Sequence, residues 1–353
     1  MRCALLLGLA AALALGTGAV ATETFDWHLP PSISPPALPA GSEMTTARIA
    51  LGRRLFYDAD LSRDGTISCG TCHEQHRAFT EGNATHGGVD GSRGRRNVMG
   101  LANVAWFSPL TWADPAQHDL ESQVHVPLMG DHPVEMGMAG QEQEQELAHR
   151  LSTDDCYRKM FAAAFADGRI DAGNVTHALA AFERTLISYD APYDHFRRGD
   201  SGAITAEARD GARLFASLGC AGCHAGRNFT DLKFHNIGLY DVDGKGGYPA
   251  SDRGLRESSG RPEDEGAFRT PSLRNVALTA PYMHDGSVKD LAAAIDAHVA
   301  GSNPLRDPAL ARAAITSSQR TALLAFLLAL TDQTFVNNPD LALPKNACGK
   351  PNY

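Results

Sequence analysis

Cys-x-x-Cys-His occurs twice in the chain, at Cys69, Cys72, His73 and at Cys220, Cys223, His224. Each pentapeptide is a covalent haem attachment signature: two thiols add across the haem vinyl groups, and the histidine after the second cysteine is placed under the iron. With 7 cysteines and 14 histidines in 353 residues, chance yields about 0.006 matches to this pattern. A zinc knuckle or a thioredoxin-like pair uses the same thiol spacing but does not require the histidine. Two haem c groups, with His73 and His224 as iron ligands, are therefore the first expectation.

Met1-Arg2, the apolar run from Ala4 to Leu15 and the small-residue site Ala19-Val20-Ala21 read as a cleavable signal peptide over 1–21. Export suits covalent haem attachment and points to the periplasm. Neither that run nor Thr321 to Leu330 is long enough to span a bilayer, so no membrane anchor is expected. The second run reads as the buried face of a terminal helix. Without Arg2, the 32 basic side chains become 31 against 41 acidic ones, a formal charge of about −10, which excludes nucleic acid as an expected partner. The acidity suits solubility, and also a basic redox partner. Cys156 and Cys348 remain once Cys3 and the haem thiols are counted out, an even pair for a disulfide in an oxidising compartment.

After the signal, 22–44 reads as an extended arm, with five prolines between Leu29 and Ala40. Ile49, Leu51, Leu55 and Phe56 give an amphipathic helix from Thr45 to Phe56. Its Gly52-Arg53-Arg54-Leu55-Phe56 is echoed by Gly211-Ala212-Arg213-Leu214-Phe215 before the second motif, an internal duplication of a cytochrome c unit. Helical periodicity runs through Gln143–Leu151, Cys156–Ala166 and Val175–Tyr189, with Gln141 to Glu146 as a solvated helix start. Gly82–Asn97 and Asp241–Gly266 read as long loops, and strand signals are nearly absent. The expected fold class is mainly α: two cytochrome c-like haem domains with long loops, 45–197 and 198–353, joined near Tyr193 to Ser201.

Leu51-Gly52-Arg53-Arg54-Leu55-Phe56, the two haem motifs, Phe234-His235-Asn236-Ile237-Gly238-Leu239 and the run from Thr270 to Gly286 together resemble the bacterial dihaem cytochrome c peroxidase and MauG family. The resemblance spans the mature chain. Phe25 to Pro31, Leu110-Thr111-Trp112-Ala113-Asp114-Pro115 and His132-Pro133-Val134-Glu135-Met136-Gly137 resemble its MbnH branch most closely.

The resemblance implies a peroxide site at the first haem and a second haem that stores or relays an oxidising equivalent. It places Gln123, Pro127 and Glu135 in the distal pocket of the first, with Glu135 as acid-base group and Gln123 as hydrogen-bond donor. It places Trp112 between the haems, Trp106 and Trp27 having weaker claims, and gives Asn97 with the carbonyls of Thr279 and Pro281 as an interdomain calcium site. His86, the one loop histidine that could close the first iron, stands too near His73 for the family pattern, so that iron is expected to be open. At the second haem, His298 falls in the slot filled by methionine in conventional peroxidases and by tyrosine in MauG-like proteins. Met283 competes but lies in a turn. A nitrogen ligand stabilises the oxidised iron, favouring protein oxidation over peroxide detoxification. The implied reaction uses hydrogen peroxide to reach a paired high-valent state and oxidises a protein substrate, an MbnP-like copper-binding partner whose tryptophan becomes kynurenine. The alternative is a peroxidase fed by a small redox protein. A pure electron carrier would need both irons six-coordinate.

Overall fold

Thr45 caps the first helix, its hydroxyl accepting from the Arg48 amide at 3.1 Å. Helix α1, Thr46–Phe56, then turns Leu51, Leu55 and Phe56 completely inward. The computed structural model describes residues 25–131, 133–310 and 314–345. The signal peptide, the start of the arm, His132 and Cys348 lie outside them. Twelve further helices follow: α2 (Cys69–Cys72), α3 (Leu120–Met129), α4 (Gln141–Ser152), α5 (Asp155–Ala164), α6 (Ala172–Glu183), α7 (Pro192–Arg197), α8 (Ala206–Ser217), α9 (Cys220–Cys223), α10 (Arg256–Ser259), α11 (Leu291–Ala300), α12 (Ser317–Leu328) and α13 (Gln333–Val336). Strand content among the described residues is one antiparallel pair, β1 (Phe234–His235) against β2 (Phe268–Arg269), with Phe234 opposite Arg269. The fold is mainly α, as the missing strand signals required.

The duplicated glycine explains the architecture. A Cβ on Gly52 would lie 1.8 Å from the Ala178 carbonyl oxygen, and one on Gly211 would lie 1.9 Å from that of Ala322. In each repeat the glycine lets two helices, α1 and α6 or α8 and α12, cross backbone to backbone. Phe182 and Phe326 follow four residues on and meet Phe56 and Phe215 at 5.2 and 5.1 Å. Alanine normally stabilises a helix interior over glycine, but here the new methyl meets a carbonyl that cannot move alone. Gly211→Ala should therefore destabilise, by about 1–3 kcal/mol as an overpacked core does, read as a lower denaturation midpoint.

The two repeats meet at a buried polar knot. Asn103 donates through Nδ2 to Ser188 O (2.9 Å) and accepts from the Ser188 amide (2.7 Å). Asn275 donates to Ser188 Oγ (3.0 Å) and accepts from the Asp332 amide (2.7 Å). Asn103 and Asn275 both adopt left-handed backbone, φ 61° and 59°, a conformation asparagine tolerates. Ser188 Oγ closes the knot on Asp332 Oδ2 at 3.0 Å. This contact also corrects one reading: α6 stops at Glu183 instead of continuing to Tyr189. The Thr185 hydroxyl turns back to the Phe182 carbonyl (2.7 Å), and the next residues run out to meet Asn103.

The arm is extended, as its prolines dictate, and is pinned by Trp106 Nε1 donating to Ser34 O at 3.0 Å. At the other end, the chain after α12 crosses back to the first repeat. Phe335 packs on Phe79 at 5.4 Å, and Arg53 donates to the carbonyls of Ala342 (2.7 Å) and Pro339 (2.6 Å). Cys156 is disulfide-bonded. No helix among the described residues is long and apolar enough to cross a membrane.

Candidate dihaem site

Both attachment motifs form one helical turn, α2 and α9, and both histidines are aimed by the same device. His73 Nδ1 donates to the Phe79 carbonyl at 2.7 Å, and His224 Nδ1 to the Phe229 carbonyl at 3.1 Å. A carbonyl can only accept, so Nε2 is left as the lone-pair donor in each ring. On α11, His298 Nδ1 donates to Ala294 O at 2.8 Å and leaves its Nε2 in the same state.

The His224 and His298 ring centroids lie 6.2 Å apart, with the rings tilted by 60°. Two imidazole nitrogens each about 2.0 Å from a shared metal place their ring centroids roughly 6 Å apart, so the spacing fits one iron between them. Burial, and then the neighbouring His298, push His224 down to about 4. Burial likewise lowers His298 and His73. Neutral rings keep the lone pairs a metal needs.

The first repeat has the same scaffold with a different cap. Asp119 caps α3 by accepting from the Ser122 amide, and Asp290 caps α11 by accepting from the Ala293 amide, both at 2.8 Å. A leucine opens each helix, and seven residues on stands Pro127 in α3 but His298 in α11. Proline has no side-chain donor atom. The position that is an imidazole in the second repeat is in the first only a ring of methylenes, one turn after Gln123. Helix α3 was not legible beforehand because an internal proline argues against a helix.

The chain returns from α3 along its own carbonyls, with the Met136 amide on Pro127 O and the Met138 amide on Leu128 O, both at 3.0 Å. Glu135 rides on this return, its own carbonyl held by the Val89 amide at 3.0 Å. A Cβ on Gly88 would sit 1.7 Å from Val134 O, so glycine is what lets the loop after the first motif press against Glu135. Burial raises the Glu135 carboxyl above the usual carboxylate range. Its charge also acts on both thiols of the first motif, whose pKa values rise chiefly through burial. His86 gives Nδ1 to Glu81 Oε2 at 3.2 Å, and its Nε2 is buried without a hydrogen-bond partner.

Trp112 is half-buried, its Nε1 donating to Asn97 O at 2.8 Å. It packs with Tyr248 and Phe268 and shares a cavity with His224, His298, Asn97, Thr279 and Pro281. The Asn97 amide nitrogen is spent on the carbonyls of Asn83 (3.0 Å) and Ala84 (3.2 Å), and no described residue donates to its Oδ1. Met283 lines the same cavity, with φ 73° in the expected turn. Trp27 and Trp106 stand apart, edge to face at 6.2 Å under the arm.

The family described as di-haem cytochrome c peroxidase matches residues 46–202. The methylamine utilization protein MauG of Methylophilus methylotrophus is 34% identical, over 79% of this chain and 82% of its own length. The chain belongs to the di-haem cytochrome c peroxidase family. The cytochrome c551 peroxidase of Pseudomonas aeruginosa is 33% identical, over 72% of each chain. A crystal structure of a MauG-like protein associated with microbial copper homeostasis superposes with a TM-score of 0.88 at 39% identity, covering 91% of this chain and 99% of the other. As a member of the di-haem cytochrome c peroxidase family, the protein is a peroxide-dependent dihaem oxidoreductase carrying two haem c groups.

Two residues of the boundary escaped the sequence reading. Arg269 and His284 are both buried, and each answers a residue of the first repeat: the Asn97 amide donates to His284 O, and the Arg269 amide to Trp112 O, both at 2.7 Å. The signal was present in the aligned repeats around Asn103 and Asn275, which set Asn97 against Arg269 and Trp112 against His284. Among the described residues, one acid-thiol-imidazole group lies close enough for a metal ion, Cys223, Asp231 and His235. With Cys223 in a thioether it reduces to the His235 ring held between Asp231 (2.9 Å) and Asp307 (2.5 Å).

Proposed function

We propose that the protein is a periplasmic MauG-like oxidase in which hydrogen peroxide reacts at the first haem and a docked protein gives up the electrons. The observation that carries the reading is the exchange of His298 for Pro127 at one position of the duplicated scaffold. Cys69, Cys72 and His73 would hold the peroxide-reactive haem. Cys220, Cys223 and His224 would hold its twin, with His298 as sixth ligand. The haems supply the redox capacity that reduces peroxide to water. The division into a first domain, 45–197, and a second, 198–353, belongs to the same proposal, the segment 333–345 crossing back to the first.

Glu135 takes the proton from the near peroxide oxygen and returns it to the leaving one, and its enclosure favours that exchange over loss to solvent. Gln123 would offer an amide N–H to orient the oxidant, while Pro127 brings no donor atom to the position that His298 fills in the second repeat. Trp112 gives an electron across the boundary, its ring plane fixed by the bond to Asn97 O. Asn97 Oδ1 with the carbonyls of Thr279 and Pro281 forms an all-oxygen set suited to calcium. The association of the superposed MauG-like protein with copper homeostasis supports an MbnP-like copper-binding partner, with tryptophan oxidised to kynurenine. The signal peptide supports the periplasm.

Adding hydrogen peroxide to the fully ferric protein tests the reading. Spectral change at both haems without reductant is the expected result; a requirement for prior one-electron reduction would instead make it a peroxidase fed by a small redox protein. His298→Ala should replace the low-spin signal of the second haem with that of an open or water-bound iron while both haems stay attached. An unchanged signal would put the ligand elsewhere, Met283 first.

A further inference from the structure

Arg269 is 3% exposed and has no anion. Its guanidinium donates to Thr111 O (3.1 Å), Leu110 O (3.0 Å) and Met99 Sδ (3.2 Å), two carbonyls and a thioether that carry no countercharge. The remaining nitrogen, Nη1, is buried without a partner. Burial alone pulls the group down to about 10, with no charged neighbour offsetting it. An enclosed, unpaired guanidinium is strongly disfavoured, so this environment is incomplete until an anion joins it.

The neighbourhood says which anion. Arg269 lines the cavity shared by Cys220, Cys223, His224 and Trp112. Its own half of the boundary is β2 and the other half is the stretch of carbonyls at Leu110 and Thr111, so its fork bridges the two repeats. The repeat equivalence adds a second, independent pointer. Thr80 Oγ1 donates to Val98 O as Thr230 Oγ1 donates to Thr270 O, which sets Asn97 and Arg269 on matching positions one residue earlier. Asn97 is the side-chain oxygen of the calcium set, and Arg269 is a built-in cation.

We propose that Arg269 clamps an ionised propionate of the second haem, supplying at the inter-haem boundary the fixed positive charge that its counterpart Asn97 supplies through calcium. A planar fork with a free Nη1 matches a carboxylate, and the propionates are the anions that haem c brings. The clamp ties the second haem to the backbone carrying Trp112 and keeps a positive charge near its iron. Both effects rest on the second haem occupying this cavity.

The test is an equilibrium redox titration of wild type, Arg269→Lys and Arg269→Gln holoprotein at about pH 6 and about pH 8, both above the range in which a carboxylate paired with a cation titrates. The other charged groups around the cavity have defined neighbours. His235 lies between the carboxylates of Asp231 and Asp307, burial lowers His284, and Arg96 and Arg274 are paired with Asp252 at 2.8 Å and Asp194 at 2.7 Å. In wild type the second-haem midpoint should be flat between the two pH values. Arg269→Gln should lower its equilibrium constant for reduction about tenfold at the higher pH, or about 59 mV for one electron. It should also introduce a fall with pH, because a propionate left enclosed without its cation has a raised pKa and takes up a proton on reduction. Arg269→Lys should restore the flat profile and most of the midpoint.

A midpoint and slope in Arg269→Gln equal to wild type would overturn the clamp. So would a pH slope in wild type, which needs no variant to measure. None of these readings uses peroxide, so failure of the oxidase reading shows separately. Absence of the His224 and His298 low-spin signal from wild type would instead overturn the ligand assignment.

Discussion

Replacing Glu135 by glutamine should slow the reaction of the ferric protein with hydrogen peroxide by about 10²–10⁴-fold, the usual worth of a positioned acid-base group. The amide keeps the size and can still accept a hydrogen bond, but it cannot shuttle a proton between two oxygens. Stopped-flow spectra of the variant should therefore show normal haem attachment and a normal resting state, with only the peroxide step delayed. The pH profile gives an independent sign. Burial raises the Glu135 carboxyl above the ordinary range, so the active carboxylate form is lost at a higher pH than for an exposed acid. The wild-type rate should rise with pH through that raised value, and the limb should be absent from Glu135→Gln. An unchanged rate would move the proton-handling role to another group, His86 with its buried and unpartnered Nε2 being the neighbour to examine.

Trp112→Phe should leave both haems attached and the first haem reactive, yet abolish the sharing of oxidation between them. The indole lies in the cavity of the second motif and hangs from Asn97 O, in the segment that follows the first. Phenylalanine keeps the packing against Tyr248 and Phe268, but it is far harder to oxidise and loses the N–H that fixes the ring plane. Peroxide added to the ferric variant should alter the spectrum of the first haem alone, and oxidation of an added protein substrate should fall with it. Undiminished response at the second haem would exclude Trp112 as the relay.

Much of this site was legible as text because covalent chemistry demands contiguous residues. Cys69-x-x-Cys72-His73 and its twin are local, and the echo of Gly52 in Gly211 announced the duplication before any contact was known. The helix crossings themselves were hidden, since what Gly52 and Gly211 approach, the carbonyls of Ala178 and Ala322, lies more than a hundred residues away. Helix α3 was hidden for the opposite reason, as Pro127 inside it breaks the local rule. The end of α6 yielded to tertiary demand at Ser188, which no periodicity records. Arg269 reads in sequence as one charge among many, and its lack of a counterion emerges only from the packing of Met99, Leu110 and Thr111 around it.

The crossing back of the final residues carries a consequence for biogenesis. Phe335 rests on Phe79, whose carbonyl orients His73, and Arg53 and Tyr57 wait for the carbonyls of Pro339, Leu341 and Ala342. The earliest-made portion therefore cannot complete its interior until the latest-made portion arrives. Final packing around the first attachment motif is thereby coupled to synthesis of residues 335–342, so that half of the molecule is not complete until the chain has been made at least that far.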